Sequence, residues 1–302
     1  MKTFDVIGFG ALNVDKLYRV NRIAGKEEES FVTSFTESCG GSAANTVVGL
    51  AKLGLKTGYI GKVAEDREGK LLFDDFKKEG VDTEGVIVAK HGRSGVAMGY
   101  VDPKGERALY VDPGVNDTIK FNEINPEYIS QTKFLHLTSF VGEKSFKAQK
   151  KLVRKLPENV KVSFDPGILY ARKGFASLKP IIRRTFVMLP KDTELKLLTG
   201  KNYRKGAEVL IKNGVSVVVV KLGKKGCYVS NGKESHLVKP CHVRVVDTTG
   251  AGDAFSAGFL YGLIKGKDLR DCGKLGNFVA SRCIEKVGAR VGLPRLLDLR
   301  EV

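Results

Sequence analysis

Short apolar segments alternate with amphipathic ones along nearly the whole chain, and this alternation most limits the folds open to it. Residues 4–9, 58–63, 134–137, 160–164, 186–189 and 215–222 are short and largely apolar, and predict strands. Between them, residues 43–53, 70–78, 144–155, 193–198 and 205–212 carry apolar side chains at helical spacing. A strand that returns through a helix comes back parallel to its neighbour. The order therefore predicts an α/β fold, a doubly wound sheet with helices on both faces. The chain of 302 residues can bury a sizeable core and is expected to form a single domain over 1–302.

Two stretches break the alternation. Residues about 12–38 read LNVDKLYRVNRI, a charged turn at 25–29, then SFVTSFTES. Residues about 93–112 read RSGVAMGYVDPKGERALYVD, turning at Pro103, Lys104 and Gly105. Both predict β-hairpins rather than βα units. They would form either a small separate sheet, acting as a lid over a ligand, or decorations on the edge of the main sheet. Phe31, Val32 and Phe35 on the first hairpin would cover a ligand or meet a second copy of the chain.

The net charge is +17, which bounds partners rather than fold. It fits a well-solvated surface, or attraction for anionic ligands such as nucleotides. No basic stripe is interleaved with aromatic residues, so nucleic acid is not an expected partner. No apolar run approaches the roughly 20 residues of a membrane helix, and MKTFDVIGFG lacks the apolar core of a signal peptide. A cytoplasmic location without membrane contact is expected. Cys39, Cys227, Cys241, Cys272 and Cys283 show neither CxxC nor metal spacing and are expected to be free thiols. His91, His136, His236 and His242 form no metal motif, and structural roles are expected for them.

Gly8 to Asn13, GFGALN, begins like a dinucleotide fingerprint but ends in Asn13 and leads into no helix. No Gly–Lys pair precedes Ser or Thr, so there is no Walker-type loop. Two glycine-bearing helix entries remain. In CGGSAAN, Gly40 and Gly41 precede an apolar helix, and Asn45 either points its amide at a ligand or satisfies a local hydrogen bond. In DTTGAGDAFSAGF, Gly250, Ala251 and Gly252 leave main-chain N–H groups bare at a helix N-terminus, a cradle for an anion such as phosphate. An acid beside such a cradle repels the anion, so Asp253 makes sense as the acceptor of a substrate hydroxyl proton. The alternative is a simple helix cap.

These motifs together resemble the ribokinase-like (PfkB) family of carbohydrate and nucleoside kinases. GGSAAN resembles its N-terminal signature and DTTGAGDAFSAGF its C-terminal one, with GALNVD, FDPG, LGKKG and the last helix in the same order. The resemblance implies a ribokinase-like domain with a small β-sheet lid. It implies phosphoryl transfer from a nucleotide, ATP by default, with Mg2+, to a hydroxyl of a sugar, sugar phosphate or nucleoside. Asp253 would be the base and Gly250, Ala251 and Gly252 the anion hole. Asn13, Asp15, Gly40, Gly41, Asn45, Asn116 and Asp165 would bind the acceptor. Lys191, Glu194, Lys221, Gly223, Gly226 and Asn277 would bind the nucleotide. Asp247 and Thr249, near Gly288 and Ala289, resemble a monovalent-cation (K+) site, and a homodimer through the lid is implied as well.

Several positions depart from the family pattern. Lys191 stands where Asn is expected in the NxxE motif, with Glu194 kept, and Lys221 stands where Thr is common. Ser139 replaces a sugar-contacting Glu, and Gly292 replaces a frequent Ser. Asn116 and FDPG favour a nucleoside. Arg93, Arg107 and Arg172 favour a phosphorylated sugar, since arginine suits phosphate. The alternatives are an ADP-dependent phosphopentose kinase, for instance one acting on ribose 1-phosphate, and a non-catalytic sugar or nucleotide sensor.

Overall fold

The structure is a computed structural model and describes residues 3–301. In chain order its strands are β1 (Phe4–Phe9), β2 (Asn13–Val20), β3 (Val32–Gly40), β4 (Thr57–Ala64), β5 (Val86–Ala89), β6 (Gly95–Val101) and β7 (Arg107–Asp112). There follow β8 (Thr132–Leu137), β9 (Lys161–Phe164), β10 (Thr185–Met188), β11 (Val217–Lys221), β12 (Cys227–Ser230) and β13 (Ser235–Val238). Nine of them form one sheet in the order β13-β12-β11-β10-β9-β8-β1-β4-β5. From β11 to β5 every pairing is parallel.

The run of valines in β11 shows why this sheet lies in the middle. Successive side chains point to opposite faces, and here both faces are packed. Val217 and Val219 join one apolar cluster, together with Ala43, Val47, Phe255, Phe259 and Val279 from helices Ser42–Lys52, Ala251–Ile264 and Leu269–Ile284. Val218 and Val220 join the other, with Phe146, Leu152, Leu178 and Leu210 from the opposite layer. A strand buried on both faces has no polar alternation, hence the unbroken apolar run. Each such side chain contributes roughly 1.5–3 kcal/mol on burial.

The far edge differs from a wholly parallel sheet. β12 runs antiparallel to both β11 and β13. Connections this short cannot hold a crossover helix, so they return as hairpins. The turns are made by Gly223 to Gly226 and by Gly232, glycines with positive φ among them.

The two predicted hairpins form a separate four-stranded sheet, β3-β2-β6-β7, rather than edge decorations. They join through a parallel β2–β6 pairing, from Asn13 opposite Gly95 to Arg19 opposite Val101. Cross-strand partners share a face. Leu17, Gly99 and Leu109 lie together, since a Cβ on Gly99 would sit 3.0 Å from Leu17 and 3.9 Å from Leu109. Asp15, Ala97 and Val111 share that face, as do Arg19, Val101 and Arg107 at the tip. The opposite face carries an aromatic ladder in which Tyr18 contacts Phe35 and Tyr100, and Tyr100 contacts Tyr110. A cavity of about 640 Å³ opens on that outer face, lined by Val20, Met98 and both of these last tyrosines.

Candidate active site

The lid is fastened to the main sheet where β1 runs into β2. The side chain of Asn116 accepts from the Leu12 N–H at 2.9 Å and donates to the Leu12 carbonyl at 2.7 Å and to Asn13 Oδ1 at 3.0 Å. Asn116 is thus buried and fully engaged, and it orients Asn13 rather than facing open space. The inner face of the lid above this seam begins with Asp15. Burial pushes its carboxyl up to about 6, against the opposing pull of Arg290 and Arg107. Gly40 lies directly beneath it, because a Cβ there would meet the Asp15 carboxylate at 2.2 Å. Gly41 is the N-cap of the Ser42–Lys52 helix.

The Ala251–Ile264 helix starts at the carboxyl end of the main sheet, with Gly250 as its N-cap. Gly250 has φ +75°, and a Cβ there would run into Ala289 at 2.5 Å. The fold therefore demands glycine at this turn. Gly252 is different. A Cβ there would find Lys221 Nζ at 3.5 Å and the Lys191 side chain at 3.7 Å, ordinary contacts. Nothing in the protein around it requires the missing side chain, so Gly252 leaves open space over the loop.

Asp253 is not the helix cap. Its Oδ2 accepts from Nδ2 of Asn45 at 2.8 Å, and its backbone carbonyl accepts from Thr46 Oγ1 at 3.3 Å. The carboxylate keeps an opening onto a cavity of about 210 Å³ and is ringed by protein elsewhere. Burial pushes its pKa up to about 7; the Asn45 hydrogen bond lowers it, the negative charge of Asp165 adds to the rise, and Lys221 and Lys191 oppose it. Such a group can take up and release a proton near neutrality.

The same cavity is walled by Gly250, Ala251, Gly252, Lys191, Glu194, Lys221, Asp165 and Ser139. Lys221, at the end of β11, is buried and paired with Asp165 at 2.5 Å. Ser256 Oγ, one turn beyond Asp253, stands 3.4 Å from the same Asp165 oxygen. Glu194 caps its own helix by accepting from the Lys191 N–H at 2.8 Å, and burial raises its pKa. The Ala251 N–H, expected to be bare, instead donates to the Thr248 carbonyl at 3.2 Å. The Gly250 and Gly252 N–H groups, the helix N-terminus and two ammonium groups line a space large enough for a phosphoryl group, with the Asp253 carboxyl at its edge.

A model of the pfkB family of carbohydrate kinases matches residues 4–296. The chain belongs to that family. It is a sugar or nucleoside kinase, a phosphotransferase acting on hydroxyl groups. An uncharacterized sugar kinase of Archaeoglobus fulgidus is 51% identical over 254 residues, covering 83% of this chain and all of the relative. An ATP-dependent ribose-1-phosphate kinase of Halopiger xanaduensis is 32% identical, covering 94% of this chain and 93% of the relative. Among solved structures, a ribokinase from Thermotoga maritima superposes with a TM-score of 0.89 at 26% identity, over 99% of this chain and 98% of that one.

The other expected site residues of the kinase fall into two groups. Gly223 and Gly226 flank the turn after Lys221, with φ +59° and +84°. Asn277 is buried and donates to the carbonyls of Val238 (3.3 Å) and Lys239 (2.8 Å), so it anchors the chain after β13. Asp247 accepts from the N–H and hydroxyl of Thr249 and from the N–H of Gly288 (2.8 Å). Oδ1 accepts two of these bonds and Oδ2 one, so the carboxylate joins these turns while Oδ2 keeps a lone pair for a further donor or a cation.

Of the three arginines singled out, Arg93 is paired with Asp112 on the exposed lid surface, and Arg172 is exposed at the end of helix Gly167–Ala171. Only Arg107 is on the inner lid face. His136 is buried against Ser163 with its pKa pushed down to about 4, and all five cysteines are unpaired. No helix among the described residues is long and apolar enough to cross a membrane. No motif along the chain marks Arg290, which reaches both Asn45 and the Gly40 carbonyl.

Proposed function

We propose that the kinase transfers the terminal phosphoryl group of ATP to a hydroxyl group, with Asp253 as general base and residues 250–252 as the anion hole. The juxtaposition of a carboxylate raised to about 7 with the open space over Gly252 carries this reading. The acceptor hydroxyl would give its proton to Asp253 as its oxygen attacks the phosphoryl group. The N–H groups of Gly250 and Gly252, with Lys221 and Lys191, would hold the phosphoryl oxygens as charge shifts among them. Asp165 keeps the Lys221 ammonium in place by their ion pair.

Mg2+ fits here only in company with nucleotide phosphates. No group of three or more acidic, His or Cys side chains among the described residues could hold a metal on its own. A phosphate-bound Mg2+ keeping most of its waters needs one or two carboxylates, and Glu194 lines the cavity. Bound there, it would neutralise phosphate charge.

For the acceptor, we infer a nucleoside held by Asn13 and Asp15. Above these polar groups the inner lid face is apolar, with Leu17, Leu109 and Val111, which suits a base better than a phosphate. A second reading, a phosphopentose, is favoured by Arg107 on that face, a guanidinium without a hydrogen-bonded or ion-paired partner in the described residues. The resemblance to a ribose-1-phosphate kinase supports it too.

Turnover measured against nucleosides, free sugars and phosphopentoses, each with ATP and with ADP, decides among these. Activity confined to phosphopentoses would reject the nucleoside reading, and activity with ADP alone would reject ATP as donor. Tight binding without turnover in any combination would make the protein a sensor. We further propose that the aromatic outer face of the lid joins two copies of the chain.

A further inference from the structure

The base Asp253 is held by Asn45, and Asn45 is held in turn. Arg290 lies in the loop after the Leu269–Ile284 helix, with a side chain only 10% exposed. Its Nε–H donates to Asn45 Oδ1 at 2.8 Å. One terminal nitrogen is paired with Asp75 of the Arg67–Lys78 helix, and the other donates to the Gly40 carbonyl at 3.3 Å. The Arg290 carbonyl accepts from Lys52 Nζ at 3.1 Å, which fixes the backbone. The contact with Gly40 places the same guanidinium under the lid seam, beside Asp15.

A primary amide can turn over, exchanging its donor and acceptor ends. A guanidinium has donors only, so whatever faces Arg290 Nε must be an acceptor. This forces Oδ1 of Asn45 toward Arg290 and leaves Nδ2 to donate to Asp253. Turned the other way, Asn45 would set its oxygen against the carboxylate and disfavour the ionised base. We propose that Arg290 is a positioning residue for phosphoryl transfer, locking the Asn45 amide so that it donates to the base. This rests on the assignment of Asp253 as base. Arg290 touches neither Asp253 nor the 210 Å³ cavity, so its action on the base passes through Asn45. The other titratable and charged groups facing Asp253 are Asp165, Lys191 and Lys221, with Tyr59 and Cys283 behind it.

The test is the pH profile of kcat/KM for Arg290→Met, Arg290→Lys, Asn45→Ala and Arg290→Met combined with Asn45→Ala. Arg290→Lys keeps the charge and can still pair with Asp75, but it lacks the Nε–H. Both single Arg290 variants should move the acid-side midpoint upward, with about tenfold less activity one pH unit below the native midpoint. Activity on the alkaline plateau should stay within a few-fold of native. In the Asn45→Ala background, Arg290→Met should add no further shift. A uniform loss at every pH would overturn the proposal, as would a shift in Arg290→Met but not in Arg290→Lys, or an additive shift in the double variant. Should Arg290→Met fail to fold, Arg290→Lys and Asn45→Ala alone decide, since an upward shift of similar size in both supports the lock and an unshifted midpoint in Arg290→Lys refutes it. If Asp253→Asn keeps full activity, the base assignment itself has failed, which is a separate result.

Discussion

A carboxylic acid crowded by protein ionises late, and Asp253 should show this in two ways. Its pKa in the folded chain, about 7, lies above the ordinary 3.8. kcat/KM should therefore climb about tenfold per pH unit on the acid side and level off above about 7 in a pH-rate profile. Stability should run the other way. Between those two values the folded state holds a proton that the unfolded state has released, so stability falls as pH rises through that window. Asp253→Asn should cut turnover by about 10²–10⁴ while its melting temperature at pH 8 is no lower than native. Retained activity, or a clear drop in melting temperature, would contradict this account of the residue.

Lys221 and Asp165 are a second residue-scale case, a buried pair at 2.5 Å. Removing one partner strands the other charge, so Lys221→Met should cost about 3–5 kcal/mol in denaturant unfolding. Changing both, to Met and Asn, should recover most of that stability without recovering turnover. Equal instability of single and double variants would show that the pair itself is not what matters.

At the scale of elements, the start of the Ala251–Ile264 helix sets stability against use. Ala is a better helix former than Gly by about 1 kcal/mol, and a Cβ at 252 meets no protein atom closer than 3.5 Å. Gly252→Ala should thus raise the melting temperature slightly while lowering kcat/KM by about 10²-fold, because a methyl group would displace the phosphate by an ångström or so. A fall in both would mean that the helix, not the ligand, needs the glycine.

The same scale shows what the sequence could disclose. A bare loop followed by an acid and a helix is local chemistry, so DTTGAGD was readable, as were β1 and the two hairpins. The strands β5, β12 and β13 were not: β5 and β13 keep part of each face outside the core, and β12, though buried, sits in hairpins that break the alternation of strand and helix. Asn116 and Asn277 were marked as ligand contacts, yet both spend their amides on backbone. The sequence shows an amide but not which way it faces. Arg290 lies 245 residues from Asn45, and no pattern along the chain links them.

For the whole molecule, the outer face of the lid predicts an association. Phe31, Val32 and Phe35 are 65%, 50% and 49% exposed, beside the Tyr18–Tyr100–Tyr110 ladder. Sedimentation should give twice the mass of the chain, and Phe35→Glu should return it to one copy. A single copy in the native protein at micromolar concentration would sink the pairing.

The side chain of Asn116 stitches Leu12 and Asn13 together, and a Cβ on Gly95 would strike it at 2.2 Å. The root of the lid is thereby clamped at the very point where a door would have its hinge. If an acceptor enters beneath this sheet, bending along β2 and β6 toward residues 19 and 101 is the expected way in, a peeling of the free end while the rooted end, with Asn13 and Asp15, stays in place.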